Sequence, residues 1–252
     1  MNNLPLKFLL FVLSAAPCHS AVVIGAGHLD IHANLTAGGD WEIFIQHDEV
    51  GSPQPTRYEA DTESILYLPP GKELTRPSGS AWDFLGMGAG ENVWIFPEGQ
   101  DSDLVFPGLN TEGISSTTVG SWTPAHSLVG TGQWIEFRLL SMTYSGEGTD
   151  NHFSMWKFAG GPNVWISTAD GISTDGSADS YFLSPGGHSH MNWGFSSEGI
   201  YDLTFEARAV LPDGKETVSD PFTLRFGVNA VPEPGSSILL GLGALLLCRR
   251  NR

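Results

Sequence analysis

The feature of this sequence that most restricts its fold is a succession of short runs in which apolar and polar residues alternate. In the stretch YDLTFEARAV, Leu203, Phe205 and Ala207 point to one side of an extended chain, and the polar residues between them point to the other. Similar runs recur from Ala21 to Val228, separated by clusters of Gly, Pro, Asp and Asn. No segment has the long 3.6-residue periodicity of an amphipathic helix. The sequence predicts an all-β domain over residues 21–230, an antiparallel β-sandwich of jelly-roll or immunoglobulin-like type.

The first twenty residues have the layout of a secretory signal peptide. A single Lys7 precedes an apolar run over residues 8–16, and small residues follow at Ser20 and Ala21. The apolar run is too short to cross a bilayer comfortably, since a spanning helix needs about 20 apolar residues. The sequence therefore predicts a signal peptide over residues 1–20, removed by signal peptidase after export.

The last residues, VPEPGSSILLGLGALLLCRRNR, have a different three-part layout: a proline pair, an apolar run and arginines. Arginines that follow an apolar run stay on the cytoplasmic side, so translocation is expected to stop there with the preceding chain outside. The apolar run over residues 238–248 is short for a full span. We expect it to form a hydrophobic helix that holds the chain in the inner membrane transiently.

This layout resembles the PEP-CTERM sorting signal of Gram-negative bacteria, which is recognised and processed by an exosortase, a membrane transpeptidase-like enzyme. The resemblance covers residues 231–252 and implies an address rather than a part of the fold. It implies that the processed protein reaches the cell surface, in the outer envelope or extracellular matrix. The residues that carry the signal are Val231, Pro232, Glu233, Pro234, Arg249 and Arg250.

Removing both ends makes the remaining body strongly acidic and free of cysteine. The formal net charge of the whole chain is −16. Without Lys7 and three tail arginines, and without Glu233, the body keeps 8 basic and 27 acidic residues, which gives about −19. Such a surface repels nucleic acid and favours cations or basic partners. Cys18 and Cys248 both lie in the removable ends, so an exported body must do without disulfides.

Histidines occur in pairs that an extended chain would place on one face. In GHLDIH, His28 and Asp30 alternate with Leu29 and Ile31, and in GGHSHMNW a further His-x-His pair recurs. Imidazole and carboxylate together suit a divalent metal such as zinc or manganese. The alternative is a solvated strand face whose histidines cap loops and bond to the backbone. The predicted metal ligands are His28, Asp30, His188 and His190. His47 and Asp48 are weaker candidates, either for a fifth ligand or for an outer partner, a group that orients a ligating imidazole by hydrogen bonding.

Three stretches carry a second resemblance. They are GHLDI, then YLPPG with FLGMGAGENVWIFPE, and finally the long segment that begins GGHSHMNWGF. These are similar to the choice-of-anchor M domain, a surface domain that is attached by different anchors in different lineages. In actinobacteria such domains are often encoded beside a transport system of metal-uptake type, so the resemblance implies a transporter or envelope partner. The family offers no established catalytic residues to carry over.

Three functional classes remain open from the sequence. The first is a non-catalytic, surface-sorted domain that binds a divalent metal or a partner protein. The second is a structural component of the envelope or extracellular matrix. The third is a carbohydrate-binding or carbohydrate-active module, because the eight tryptophans could line a sugar-binding face. We expect the first class, and we expect the protein not to be an enzyme, since it has neither a His-Glu-x-x-His nor a Gly-x-Ser-x-Gly motif.

Overall fold

The computed structural model of the chain describes residues 21–49, 51–173 and 179–231. The predicted signal peptide over residues 1–20 lies outside the described part, and so does the predicted sorting helix within residues 231–252. The described residues belong to one compact unit. Among them we find no helix with the length and apolar character needed to span a membrane.

The described part consists of strands with three short 3-10 helices. The helices are Ser80–Leu85, Ser116–Thr118 and Thr168–Asp170. The strands are β1 (Val22–Ile24), β2 (Gly27–Leu35), β3 (Trp41–Asp48), β4 (Thr56–Glu59), β5 (Ser64–Leu68), β6 (Glu73–Thr75), β7 (Asn92–Phe96), β8 (Val105–Asn110), β9 (Ser121–Trp122), β10 (Gly132–Gln133), β11 (Ile135–Ser145), β12 (Phe153–Phe158), β13 (Pro162–Ser167), β14 (Ser180–Leu183), β15 (His188–His190), β16 (Asn192–Phe195), β17 (Gly199–Val210), β18 (Glu216–Val218) and β19 (Phe222–Val228). The all-β prediction is confirmed.

These strands form three larger sheets and one two-stranded ribbon. A seven-stranded sheet has the order β1-β5-β19-β17-β11-β14, with β18 paired to β17. One five-stranded sheet has the order β13-β12-β16-β7-β6, and the other has the order β15-β8-β2-β3-β4. Most pairs are antiparallel, as predicted, but β1 with β5, β5 with β19, and β2 with β8 are parallel. Two of the three larger sheets are therefore mixed, whereas every pair in the sheet β13-β12-β16-β7-β6 is antiparallel. Alternation of residues cannot reveal this difference, because both kinds of pair show it.

One hydrophobic core joins the three larger sheets. Buried side chains alternate with more exposed ones along the whole of β17, as the sequence pattern predicts. Each large apolar side chain that is fully removed from water stabilises the fold by about 1.5–3 kcal/mol. The largest of them come from all three sheets, and they include Phe96, Phe137, Phe153, Trp193, Tyr201, Phe205, Phe226, Leu29 and Ile31.

A short segment near the end of the chain passes through all three larger sheets in turn. β14 is an edge strand of the seven-stranded sheet, β15 is an edge strand of one five-stranded sheet, and β16 lies inside the other. Only a few residues separate these strands: residues 184–187 connect β14 to β15, and Met191 alone connects β15 to β16. Met191 is fully buried. The position of β15 is therefore fixed by strands in two other sheets.

Candidate metal centre

The first half of the candidate site comes from β2. Leu29 and Ile31 are fully buried in the core, because they point from β2 toward the other sheets. Successive side chains of a strand alternate between its faces, so His28 and Asp30 lie on the opposite, outer face. The alternation in GHLDI thus places an imidazole and a carboxylate side by side.

The second half comes from β15, and β8 lies between it and β2. β8 runs parallel to β2 and antiparallel to β15, so that Gly108 is the partner of both Asp30 and His190. A β-carbon built on Gly108 would lie 2.6 Å from Asp30 Oδ1 and 2.6 Å from His190 Cε1. The two side chains therefore meet above the intervening strand only because Gly108 has no side chain.

Four donor atoms converge at this point. They belong to His28, Asp30, His188 and His190, and all lie within 4.8 Å of one another. His188 Nε2 is 2.9 Å from Asp30 Oδ1, and the Nε2 atoms of His28 and His190 are 3.1 Å apart. Asp30 Oδ1 is also 3.6 Å from His28 Nε2 and 3.8 Å from His190 Nε2.

Four of the six donor separations are close to those of a tetrahedral metal site, and no pair of donors is more than 4.8 Å apart. Ligands about 2.0–2.1 Å from a zinc ion at tetrahedral angles are about 3.3 Å from each other. The measured separations of 2.9, 3.1, 3.6 and 3.8 Å bracket that value. Three imidazole nitrogens and one carboxylate oxygen are also ligand types that zinc accepts. The residues present therefore fit a zinc ion.

Neighbouring groups orient three of the four ligands. Asp48 Oδ2 is 3.0 Å from His28 Nδ1, which directs the other nitrogen, Nε2, toward the cluster. The Asn110 amide donates to Asp30 Oδ2 over 3.4 Å. His190 stacks on the Phe106 ring at a centroid distance of 3.7 Å with the planes 4° apart. Such outer contacts restrict the ligands to orientations in which their donor atoms converge.

Burial favours the ligating form of His190. Burial lowers the pKa of His190 to about 4, although the neighbouring Asp30 carboxylate opposes the shift and His188 and His28 add to it. At neutral pH the ring is therefore neutral and has a nitrogen lone pair available for a metal ion. The side chains of His28 and His188 are 29% and 30% exposed, so an ion bound here can exchange with solvent.

The weaker predicted residues are divided between the two faces of the sheet. Asp48 pairs with His28 across β2 and β3 and lies beside the cluster, in the position of an outer partner. His47 pairs with Leu29 and so lies on the core face, where its Nε2 atom is 2.8 Å from the Ala26 carbonyl oxygen. His47 is 6% exposed and is not one of the four converging residues. The structure thus separates it from the predicted site.

Replacing Gly108 by alanine is expected to disrupt the cluster with little effect on the strand itself. The new methyl group would displace Asp30 and His190, and loss of correct ligand orientation lowers metal affinity about 10–100-fold. Competition with a chromophoric zinc chelator would measure this change. Gly130→Ala is the matched control, because no atom lies within 4 Å of a β-carbon there. An unchanged zinc affinity in Gly108→Ala would show that these four side chains do not bind zinc together.

Comparison with known proteins identifies one part of the chain. Residues 230–252 match the family described as PEP-CTERM protein-sorting motif. No curated protein and no solved structure matches the chain significantly. The match includes the predicted sorting residues from Val231 to Pro234 and the arginines Arg249 and Arg250. The chain thus carries the signal of an extracellular protein that is exported and processed by an exosortase.

Proposed function

We propose that the body of this protein binds one zinc ion at the cell surface and is not an enzyme. The observation that supports this proposal most strongly is the convergence of four donor atoms within 4.8 Å from two strands that are not adjacent in the sheet. Three of the four donors are imidazole nitrogens, which favours zinc over manganese, because manganese prefers oxygen ligands. The strongly acidic body would also attract cations to this face.

The donor set argues for binding rather than catalysis. Catalytic zinc sites keep a position open for water or substrate, whereas structural sites fill all four positions with protein ligands. Here His28, Asp30, His188 and His190 would supply four ligands. A metal ion held by four protein ligands would have no open position for an activated water. It would stabilise the fold, or it would be stored and exchanged.

The resemblance to the choice-of-anchor M domain supports the same proposal. The stretches GHLDI and GGHSHMNWGF, on which much of that resemblance depends, contain all four proposed ligands. We propose that the body is a domain of this type, attached through a PEP-CTERM signal, and that it remains in the outer envelope or matrix. Its partner would be a transporter or another envelope component that receives or supplies the metal.

The second candidate is a purely structural component of the envelope, and one observation favours it. The four side chains can satisfy each other by hydrogen bonding, since His188 lies 2.9 Å from Asp30 and His28 lies 3.1 Å from His190. A network of this kind needs no ion. The two candidates therefore differ in whether the protein carries metal in a fixed ratio.

Elemental analysis of the purified full chain distinguishes the two candidates. We expect one zinc per chain after dialysis against trace zinc and manganese together, and none in the variant His188→Ala, His190→Ala. Glu42→Gln is a suitable control, because it removes a carboxylate from the same strand pairing without touching the cluster. A protein that folds but carries no metal in a fixed ratio would contradict the zinc proposal and favour the structural role.

A further inference from the structure

A groove lies on a different sheet from the proposed metal centre. It runs over the outer face of the sheet β13-β12-β16-β7-β6, where the 3-10 helix Ser80–Leu85 covers part of that face. The groove has a volume of about 310 Å³. Most of its surface is apolar, and its walls include Trp82, Trp156, Phe158 and Leu74. Concave sites of this size with mostly apolar walls and a few polar groups are typical of small-ligand sites.

Aromatic rings dominate the groove, and one of them is largely exposed. Phe158 is 54% exposed, and Leu74 on the other side is 55% exposed. The ring planes of Trp82 and Phe158 are 14° apart with centroids separated by 6.4 Å. Trp156 stands at 89° to Trp82 and forms the floor, where it is 2% exposed. Exposed apolar groups that cluster in this way indicate an interaction site.

Two polar side chains fix the hydrogen-bonding character of the groove. The Asn192 amide donates to Glu98 Oε2 over 3.0 Å, and the Glu98 backbone N–H donates to Asn192 Oδ1 over 3.0 Å. The backbone N–H of Phe158 also donates to Glu98 Oε2, over 2.9 Å. These bonds hold the carboxylate rigidly, and among the described residues none donates to its second oxygen, Oε1. That oxygen is available to a hydroxyl donor on a ligand.

We propose that this groove binds a neutral oligosaccharide. A sugar ring has apolar C–H faces that pack on aromatic rings, and it has hydroxyl edges that can donate to Glu98 Oε1. No lining residue of the groove is a lysine, arginine or histidine. Together with the body charge of about −19, the carboxylate would repel an acidic polysaccharide. The charge pattern therefore favours a neutral ligand over an acidic one.

Affinity electrophoresis and titration calorimetry of the full chain would test this proposal. The neutral probes are hydroxyethylcellulose, a β-1,3-glucan and a galactomannan, and the acidic probe is alginate. We expect binding to at least one neutral glycan and none to alginate. Phe158→Ala and Trp82→Ala should each weaken that binding by at least about tenfold, because each removes a stacking surface.

Three further variants of the chain distinguish loss of glycan binding in the groove from a general effect on folding. Phe158→Tyr keeps a ring and should keep binding, and Val218→Ala removes an apolar side chain that is 42% exposed on another sheet and should also keep it. The metal-site variant His188→Ala, His190→Ala should bind the glycan normally. The proposal is overturned if no neutral glycan binds, or if binding is the same in Phe158→Ala as in Val218→Ala. A groove that takes a polyproline peptide but none of the glycans would overturn it as well.

Discussion

Adding zinc to the metal-free protein is expected to raise its melting temperature by about 10 °C. An ion that binds only the folded state adds about 4 kcal/mol of stability when its free concentration is about a thousand times the dissociation constant. For a domain of about 200 residues, each 1 kcal/mol raises the melting temperature by about 2–4 °C. Differential scanning calorimetry of the full chain, with and without zinc, measures the shift.

The large effect follows from the strands that the ion would join. His28 and Asp30 belong to β2, His188 and His190 belong to β15, and β8 separates the two strands. β15 pairs with β8 over only three residues, and it also connects the other two sheets through β14 and β16. The described residues contain no cysteine, so no disulfide there serves the same purpose. A bound ion would therefore hold together a junction that is otherwise secured by short pairings.

Three comparisons make this expectation specific. The variant His188→Ala, His190→Ala should melt at the same temperature with and without zinc, while Glu42→Gln should respond as the original protein does. Manganese at the same concentration should produce a smaller shift, because three of the ligands are nitrogens. If neither zinc nor a chelator changes the melting temperature of the original protein, the four side chains form a hydrogen-bonded network and not a metal centre.

The strands and the grouping of the four candidate ligands were predicted from sequence, whereas the sheet neighbours that bring the two histidine pairs together were not. Period-two alternation around Leu203 and Leu29 identifies strands and their buried faces without further information. It does not identify neighbours, and the candidate site depends on β8 lying between β2 and β15 in one particular register. Gly108 has no distinguishing signal in the sequence, because its role depends on that register alone. Alternation places the adjacent residues His47 and Asp48 on opposite faces of a strand, but only the pairing of β3 with β2 shows that Asp48 is the one on the face of the cluster.

The tryptophans show a similar limit. Tryptophans inside strand patterns usually pack in the core, and Trp193 and Trp94 do so, at 0% and 7% exposed. Trp82 differs because it comes from a 3-10 helix and not from a strand, and it packs beside Phe158 on the outside of a sheet. Local composition cannot distinguish these cases, since the same residue type serves the core and the groove. Only the arrangement of the sheets separates them.

Replacing Pro232, Glu233 and Pro234 with alanine is expected to stop processing of the tail almost completely while export continues. The match to the PEP-CTERM protein-sorting motif covers residues 230–252 and includes this triplet. Export is expected to depend on the other end of the chain, where the predicted signal peptide occupies residues 1–20. The apolar run and its arginines would remain in the variant, so the unprocessed chain should accumulate in the inner membrane.

Immunoblotting of fractionated cells distinguishes the outcomes, because the processed form should be shorter and should leave the inner-membrane fraction. Ser236→Ala, Ser237→Ala is the matched control: it changes the same segment but keeps the triplet, and it should be processed normally. Loss of both forms from the envelope would indicate failed export and not failed sorting. If the triplet variant is processed and localised like the original chain, recognition does not depend on these residues. The arginines Arg249 and Arg250, which are expected to stay on the cytoplasmic side, would then be the next residues to replace.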